Sequence, residues 1–320
     1  MVNIILGKLI DKRILGSVYE CKLNKKNYIA KIEHVSKNDK ETNNNLVKKE
    51  IDFSLKFGNK YPDHFMVLID HYFEENCNVI QLGWDINNPP KAWYKKLVNE
   101  YTSIINEKIC LYKIYTKMDV ILNNVLKTLT HNQIYSMLLQ VSYSMNLLHS
   151  HNYIHGDLHC GNVGAVKTLK KATIKLGSHS IPTFGYQWKL IDFGLTLHKQ
   201  DILSKDDKER YKKETDVMYD EGLFYALTTY IQENSSSFNK KFKELKKTDE
   251  FKIINEIQSR NSTIQEALYM TLFPDKYIKI FNGTLLLNAL LPIPDLIFFA
   301  KNGMHSDATF QYLLEKLNIN

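Results

Sequence analysis

"YIHGDLHCGNVG", residues 153–164, sets two histidines, an aspartate, a cysteine and an asparagine within twelve positions, with His149 and His151 just upstream. So many candidate ligands raise the question of a metal. A zinc site needs ligands that converge tetrahedrally from suitable spacings, and H-x-H-x3-H-x3-H-C provides no recognised one. His149 closes a helical pattern and His151 falls in the turn after it, so both read as structural. What remains distinctive is Asp157 followed five positions later by Asn162 on a short glycine-containing loop.

Working outward, Thr130 to Gln133 fits a T-x-x-Q capping box, and Ile134, Leu138, Val141, Met145 and Leu148 recur at helical spacing. An amphipathic helix ending near His149 is therefore expected to deliver the chain into the loop. Further upstream, ILGKLI, SVYECKL and YIAKIEH are β-prone runs, the last two joined by the turn NKKN, and they predict a strand meander. LVKKEIDFSLKFG places Val47, Ile51, Ser54 and Leu55 on one helical stripe that stops at Gly58. FMVLIDHYF, CNVIQLGW and ICLYKIY read as further strands, the last a buried one. Past residue 196 the pattern turns mostly helical. Strands with one helix first and helices afterwards is the order of an α+β protein with two lobes, here 1–118 and 119–320.

The bulk properties narrow the classes. With 320 residues and 44% hydrophobic composition the chain can bury a large core. Its net charge of +7 comes from scattered lysines, without the basic-aromatic clustering of a nucleic-acid surface, so no specific nucleic-acid partner is expected. Cys21, Cys77, Cys110 and Cys160 never form C-x-x-C and read as reduced thiols of a cytoplasmic protein. The apolar stretch 283–303 is interrupted by Asn288, Pro292, Pro294 and Asp295, so a buried helix pair is expected there and no membrane span.

HGDLHCGN (155–162) followed by LIDFG (190–194) resembles the catalytic loop and metal-binding triplet of the protein kinase-like superfamily. YIAK (28–31) resembles the strand whose lysine touches the nucleotide phosphates, and Glu50 falls where the family keeps that lysine's partner acid. The resemblance implies a small β-rich N-lobe with one main helix, a larger helical C-lobe, and ATP with Mg²⁺ as cofactors. It assigns catalytic roles to Asp157, Lys31, Glu50 and His159, and metal binding to Asn162 and Asp192. Gly16, Val18, Ala30, Lys31 and Tyr115 are its expected nucleotide contacts, the last within a strand-to-linker hinge over 112–118. Asp216, or Asp220 in a shifted register, is the aspartate expected to brace the catalytic loop.

Several positions depart from the family's wording. The glycine-rich strand turn reads DKRILGSV (11–18), with only Gly16 and Val18 kept. Gly156 stands where the family has an arginine that pairs with a phosphorylated activation segment, so no switching of that kind is expected. About 166–186 the chain carries an extra segment with Lys167, Lys170, Lys171 and Lys175, read as a solvated β-hairpin. No A-P-E triplet follows LIDFG. The resemblance implies ATP-dependent phosphoryl transfer to serine or threonine hydroxyls of a protein substrate. A small-molecule phosphotransferase of the aminoglycoside or choline kinase kind and a non-catalytic scaffold are the alternatives. The Lys, Asn and Ile bias resembles that of proteins from AT-rich genomes, and the degenerate kinase pattern resembles those of large DNA viruses.

Overall fold

The computed structural model describes residues 4–13, 15–42, 45–78, 82, 95–198 and 201, with scattered positions between 220 and 247. The chain divides into two compact units, Met1–Lys117 and Met118–Asn320. The expectations for Asp216 and for the stretch 283–303 fall outside the described residues.

In the first unit the three-strand meander forms β1 (Ile5–Lys12), β2 (Gly16–Leu23) and β3 (Lys26–His34). Asn24 and Lys25 between β2 and β3 both take positive φ, 50° and 66°, the mirror-image turn that matches the twist of a two-residue hairpin. With β4 (Leu68–Glu75) and β5 (Ile109–Thr116) these strands make an antiparallel sheet in the order β1-β2-β3-β5-β4.

Among the described residues three α-helices accompany the sheet. Ser36 caps α1 (Lys37–Glu41) with a reciprocal capping box. Asn45 caps α2 (Leu46–Phe53), accepting from Lys48 N at 2.9 Å, and α2 widens into a π-turn over Ser54–Gly58. An inserted helix, α3 (Lys95–Asn106), lies between β4 and β5 in sequence.

Strand alternation gives the sheet two distinct faces. Tyr19, Cys21, Ala30, Ile32, Cys110, Tyr112 and Ile114 form a buried cluster on one of them. Val18, Lys31 and Lys113 lie directly opposite one another in register and share the other.

Cys77 and Cys110 are joined by a disulfide with Cα atoms 5.8 Å apart, which corrects the expectation that all four cysteines are reduced. The cause is the antiparallel pairing of β4 with β5, which brings the residues just after β4 back beside the start of β5. Cys21 and Cys160 remain free and buried. Burial pushes the Cys160 thiol up to about 12, so it lacks the thiolate a nucleophile needs.

The second unit is built on α5 (His131–Ser150), whose capping box at Thr130 and Gln133 is formed as expected. Ile134, Leu138, Val141, Met145 and Leu148 are all buried along it. Before it come β6 (Val120–Ile121) and α4 (Leu122–Val125); after it come β7 (Tyr153–Ile154) and β8 (Val163–Lys167). The inserted segment is a hairpin of β9 (Thr173–Leu176) with β10 (His179–Pro182). It buries Ile174, Leu176 and Ile181, and Ser136 on α5 donates to Pro182 O at 2.7 Å, so it is a docked hairpin with one solvated side.

β11 (Tyr186–Leu190) pairs with β8, and β12 (Leu197–His198) pairs with β7. These two pairings fix the loop 155–162 at both ends. Among the described residues no helix is long and apolar enough to cross a bilayer.

Candidate active site

The loop between β7 and β8 is held from beneath by His155, which is fully buried. Its Nδ1 accepts from Asp157 N at 3.3 Å, so the ring proton sits on Nε2, which donates to Ile191 O at 3.2 Å. Burial lowers the His155 pKa, with the carboxylates of Asp220, Asp157 and Asp192 pulling the other way, and the neutral ring fits this bonding. Thr196 Oγ1 donates to His155 O at 3.2 Å and Phe193 meets the ring edge-on.

Asp220 supplies the brace. Completely buried, it accepts from His155 N at 2.6 Å and from Gly156 N at 2.8 Å, with His149 Nε2 at 3.2 Å. Of the two aspartates the sequence left open for this contact, Asp220 is the one the described residues contain. Gly156 takes φ +78°, and a Cβ there would meet Leu195 O at 2.5 Å. No arginine could occupy this backbone, which is a physical reason for the departure from the family's wording.

At the loop's open side the Asn162 amide nitrogen donates to both Asp157 O and Asp157 Oδ2, each at 2.9 Å. The amide oxygen of Asn162 is thereby turned away from the carboxylate. Asp157 keeps 45% of its side chain exposed. His159 accepts from Gly161 N through Nδ1 at 2.9 Å, and its Nε2 stands 3.7 Å from Asp157 Oδ2.

Ile191 N donates to Asn162 O at 3.0 Å, which brings the chain before Asp192 alongside the loop. Asp192 is itself held at φ +62°, a left-handed conformation costly for a residue with a Cβ. Strain of this kind persists where surrounding structure imposes it, and functional sites are where it concentrates. Among the described residues no three His, Cys, Asp or Glu side chains gather as a metal cluster.

In the first unit Lys31 and Glu50 do meet, but not as an isolated pair. Lys31 Nζ is 2.9 Å from Glu33 Oε1 and 3.6 Å from Glu50 Oε1. Lys113 Nζ is 2.6 Å from Glu33 Oε2 and 2.6 Å from Glu50 Oε2. Tyr115 donates its hydroxyl to Glu50 Oε1 at 3.2 Å and is 1% exposed. Tyr115 lies inside the ladder between Ile29 and Leu68, with its hydroxyl on the acid.

Val18 shares the face of Lys31, whereas Ala30 turns to the opposite face, into the cluster with Ile32 and Ile114. Ile29 is the neighbour that Lys31's face carries. Gly16 packs so closely on β3 that a Cβ would lie 2.4 Å from Ile32 O. Glu33 and Lys113 were not singled out from the sequence; the signal was a charged residue in the midst of the apolar run ICLYKIY.

Burial works to raise the Glu33 carboxyl, but the ammoniums of Lys113 and Lys31 outweigh it and hold it down at about 2. A depressed carboxyl contributes stability that is complete above its ordinary value of 4.5 and is lost as pH falls toward 2. In urea titrations, the stability advantage of the wild type over Glu33→Gln is expected to be constant from pH 7 to 5 and to shrink steadily below 4.5. A difference that stays level down to pH 3 would show that Glu33 is not held ionised by its lysines.

Comparison with known proteins adds three findings. The family model described as protein tyrosine and serine/threonine kinase matches residues 91–220. Among solved structures, the chain is similar to the autoinhibited serine kinase domain of the giant muscle protein titin, with a TM-score of 0.51 and 15% identity. That alignment covers 98% of this chain and 81% of the other, and at such identity the likeness is one of fold. No curated protein matches the sequence.

Proposed function

We propose that this chain, which belongs to the protein kinase-like superfamily, transfers the terminal phosphoryl group of ATP to serine or threonine hydroxyls of a protein substrate. The observation that carries the reading is the Asp157–Asn162 pair: a half-exposed carboxylate oriented by an amide at 2.9 Å, on a loop braced by His155 and Asp220. In this reading Asp157 orients the acceptor hydroxyl and takes its proton as the new P–O bond forms and the bond to the ADP oxygen breaks. His159 Nε2 stands beside the same carboxylate, 3.7 Å from Oδ2, beyond hydrogen-bond distance.

Asn162 Oδ1 and the Asp192 carboxylate are hard oxygen donors, and they fit Mg²⁺, which takes few protein ligands and fills its shell with phosphate and water. When bound, the ion neutralises charge on the phosphates. Lys31 contributes its ammonium to the phosphates, and it stands 2.9 Å from Glu33 and 3.6 Å from Glu50. Val18 and Gly16 follow as nucleotide contacts from the first unit; Ala30, facing the opposite core, does not, and Tyr115 serves as a brace on Glu50.

An acceptor screen tests the reading. With γ-labelled ATP and magnesium, label is expected in serine and threonine residues of basic and acidic protein acceptors, located by mass spectrometry. Label confined to aminoglycosides, choline or other small alcohols would move the chain to the small-molecule phosphotransferases. Label in none, from a chain that takes up no ATP, would leave a scaffold.

A further inference from the structure

Lys113 sits at the centre of β5 with no solvent exposure at all. An ammonium in such a place must be fully paired, since stranding it would cost several kcal/mol. Its partners are the two carboxylates that also hold Lys31. Going round, Lys31 meets Glu33, Glu33 meets Lys113, Lys113 meets Glu50, and Glu50 meets Lys31, a ring of alternating sign.

The ring is uneven. Lys113 makes both of its contacts at 2.6 Å, while Lys31 stands 2.9 Å from Glu33 and 3.6 Å from Glu50. The acid on α2 is therefore anchored chiefly to β5, by Lys113 and by the Tyr115 hydroxyl, and of the ring's two acids Lys31 lies nearer the one on its own strand.

We infer that Lys113 is a positioning residue that sets how strongly Lys31 binds phosphate: by neutralising one of two carboxylates, it keeps Lys31 from being drawn in between both. Without Lys113, one ammonium would face two acids, Glu50 buried and Glu33 part-exposed, and phosphate would compete for it against a surplus negative charge. Without Glu33, two ammoniums would share one acid, and Lys31 would be released toward an anion. Opposite substitutions thus move phosphate affinity in opposite directions, and together they cancel. The inference rests on the proposed role of Lys31 toward ATP.

The test is a charge cycle. Lys113→Met is expected to raise KM for ATP about tenfold with kcat changed less than about threefold, and Glu33→Gln to lower KM severalfold. The double variant K113M/E33Q removes one charge of each sign from the ring and should return KM to within about threefold of wild type. A residue that only stabilises the fold would not produce this reversal of sign. If K113M fails to fold, E33Q and the charge-balanced double variant still decide the matter, because an unchanged KM in E33Q overturns the inference.

A second readout needs no turnover. Acylation of the Lys31 amine, followed by mass spectrometry, should slow in K113M, quicken in E33Q and return in the double variant. Equal labelling in all forms overturns the inference even if the chain turns over no ATP. Absence of ATP uptake by the wild type, with the labelling pattern intact, overturns the proposed function alone.

Discussion

Asp157→Ala is expected to lower phosphate transfer by about 10²- to 10⁴-fold while leaving uptake of ATP close to wild type. The size is what loss of a positioned base acting on the acceptor hydroxyl, the role proposed for Asp157, costs. The fold should persist, because nearly half the Asp157 side chain is exposed and Asn162 Nδ2 keeps its second acceptor, Asp157 O at 2.9 Å. A surface change of this kind alters stability within about 0.5 kcal/mol. The measurement is paired: label transfer for the chemistry, and the thermal midpoint with and without Mg-ATP for binding. Loss of both together would mean that Asp157 holds the loop's structure and is not the base.

Asp220→Ala should be damaging for a different reason. It removes the acceptor of two buried backbone donors, His155 N and Gly156 N, and of His149. Each amide left without a partner costs about 1–3 kcal/mol, so the second unit should lose much of its stability margin. Asp220→Asn tests the same contact more gently. It retains one acceptor oxygen but turns an NH₂ toward one of the two amides, so it should fold and yet misplace the loop. Transfer by Asp220→Asn is expected to fall at least about tenfold with the fold retained, as judged by circular dichroism, the drop coming from a displaced loop. Wild-type transfer by that variant would show that the brace is dispensable.

Much of the described part of the second unit could be read from residue spacing because the relevant contacts are local; the helical pattern expected past residue 196 falls almost wholly outside the described residues. The α5 stripe is a matter of 3.6 residues per turn, and Thr130 with Gln133 marks its start without reference to anything distant. Asp157 and Asn162 are bound to each other across only five positions, so their spacing already contains their geometry.

What the sequence did not disclose lies between strands far apart in the chain. Lys113 meets Glu50 over 63 positions, a contact that depends on β5 sliding into register against β3. Cys77 and Cys110 become partners only once β4 and β5 pair around the inserted α3. Ala30 shows how finely register matters: strand neighbours point to opposite faces, so Ala30 enters the core while Ile29 keeps the side of Lys31. Gly156 is legible only in three dimensions, since its left-handed backbone and the nearness of Leu195 O are what exclude the arginine.

The central claim is that Asp157 makes this chain a phosphotransferase. Its most direct measurement is the rate at which the γ-phosphate of saturating Mg-ATP reaches a serine or threonine hydroxyl, wild type beside Asp157→Ala at equal nucleotide occupancy. The account predicts transfer by the wild type and a loss of at least about 10²-fold in the variant. Equal rates in the two proteins, or no transfer by either despite bound ATP, would contradict it.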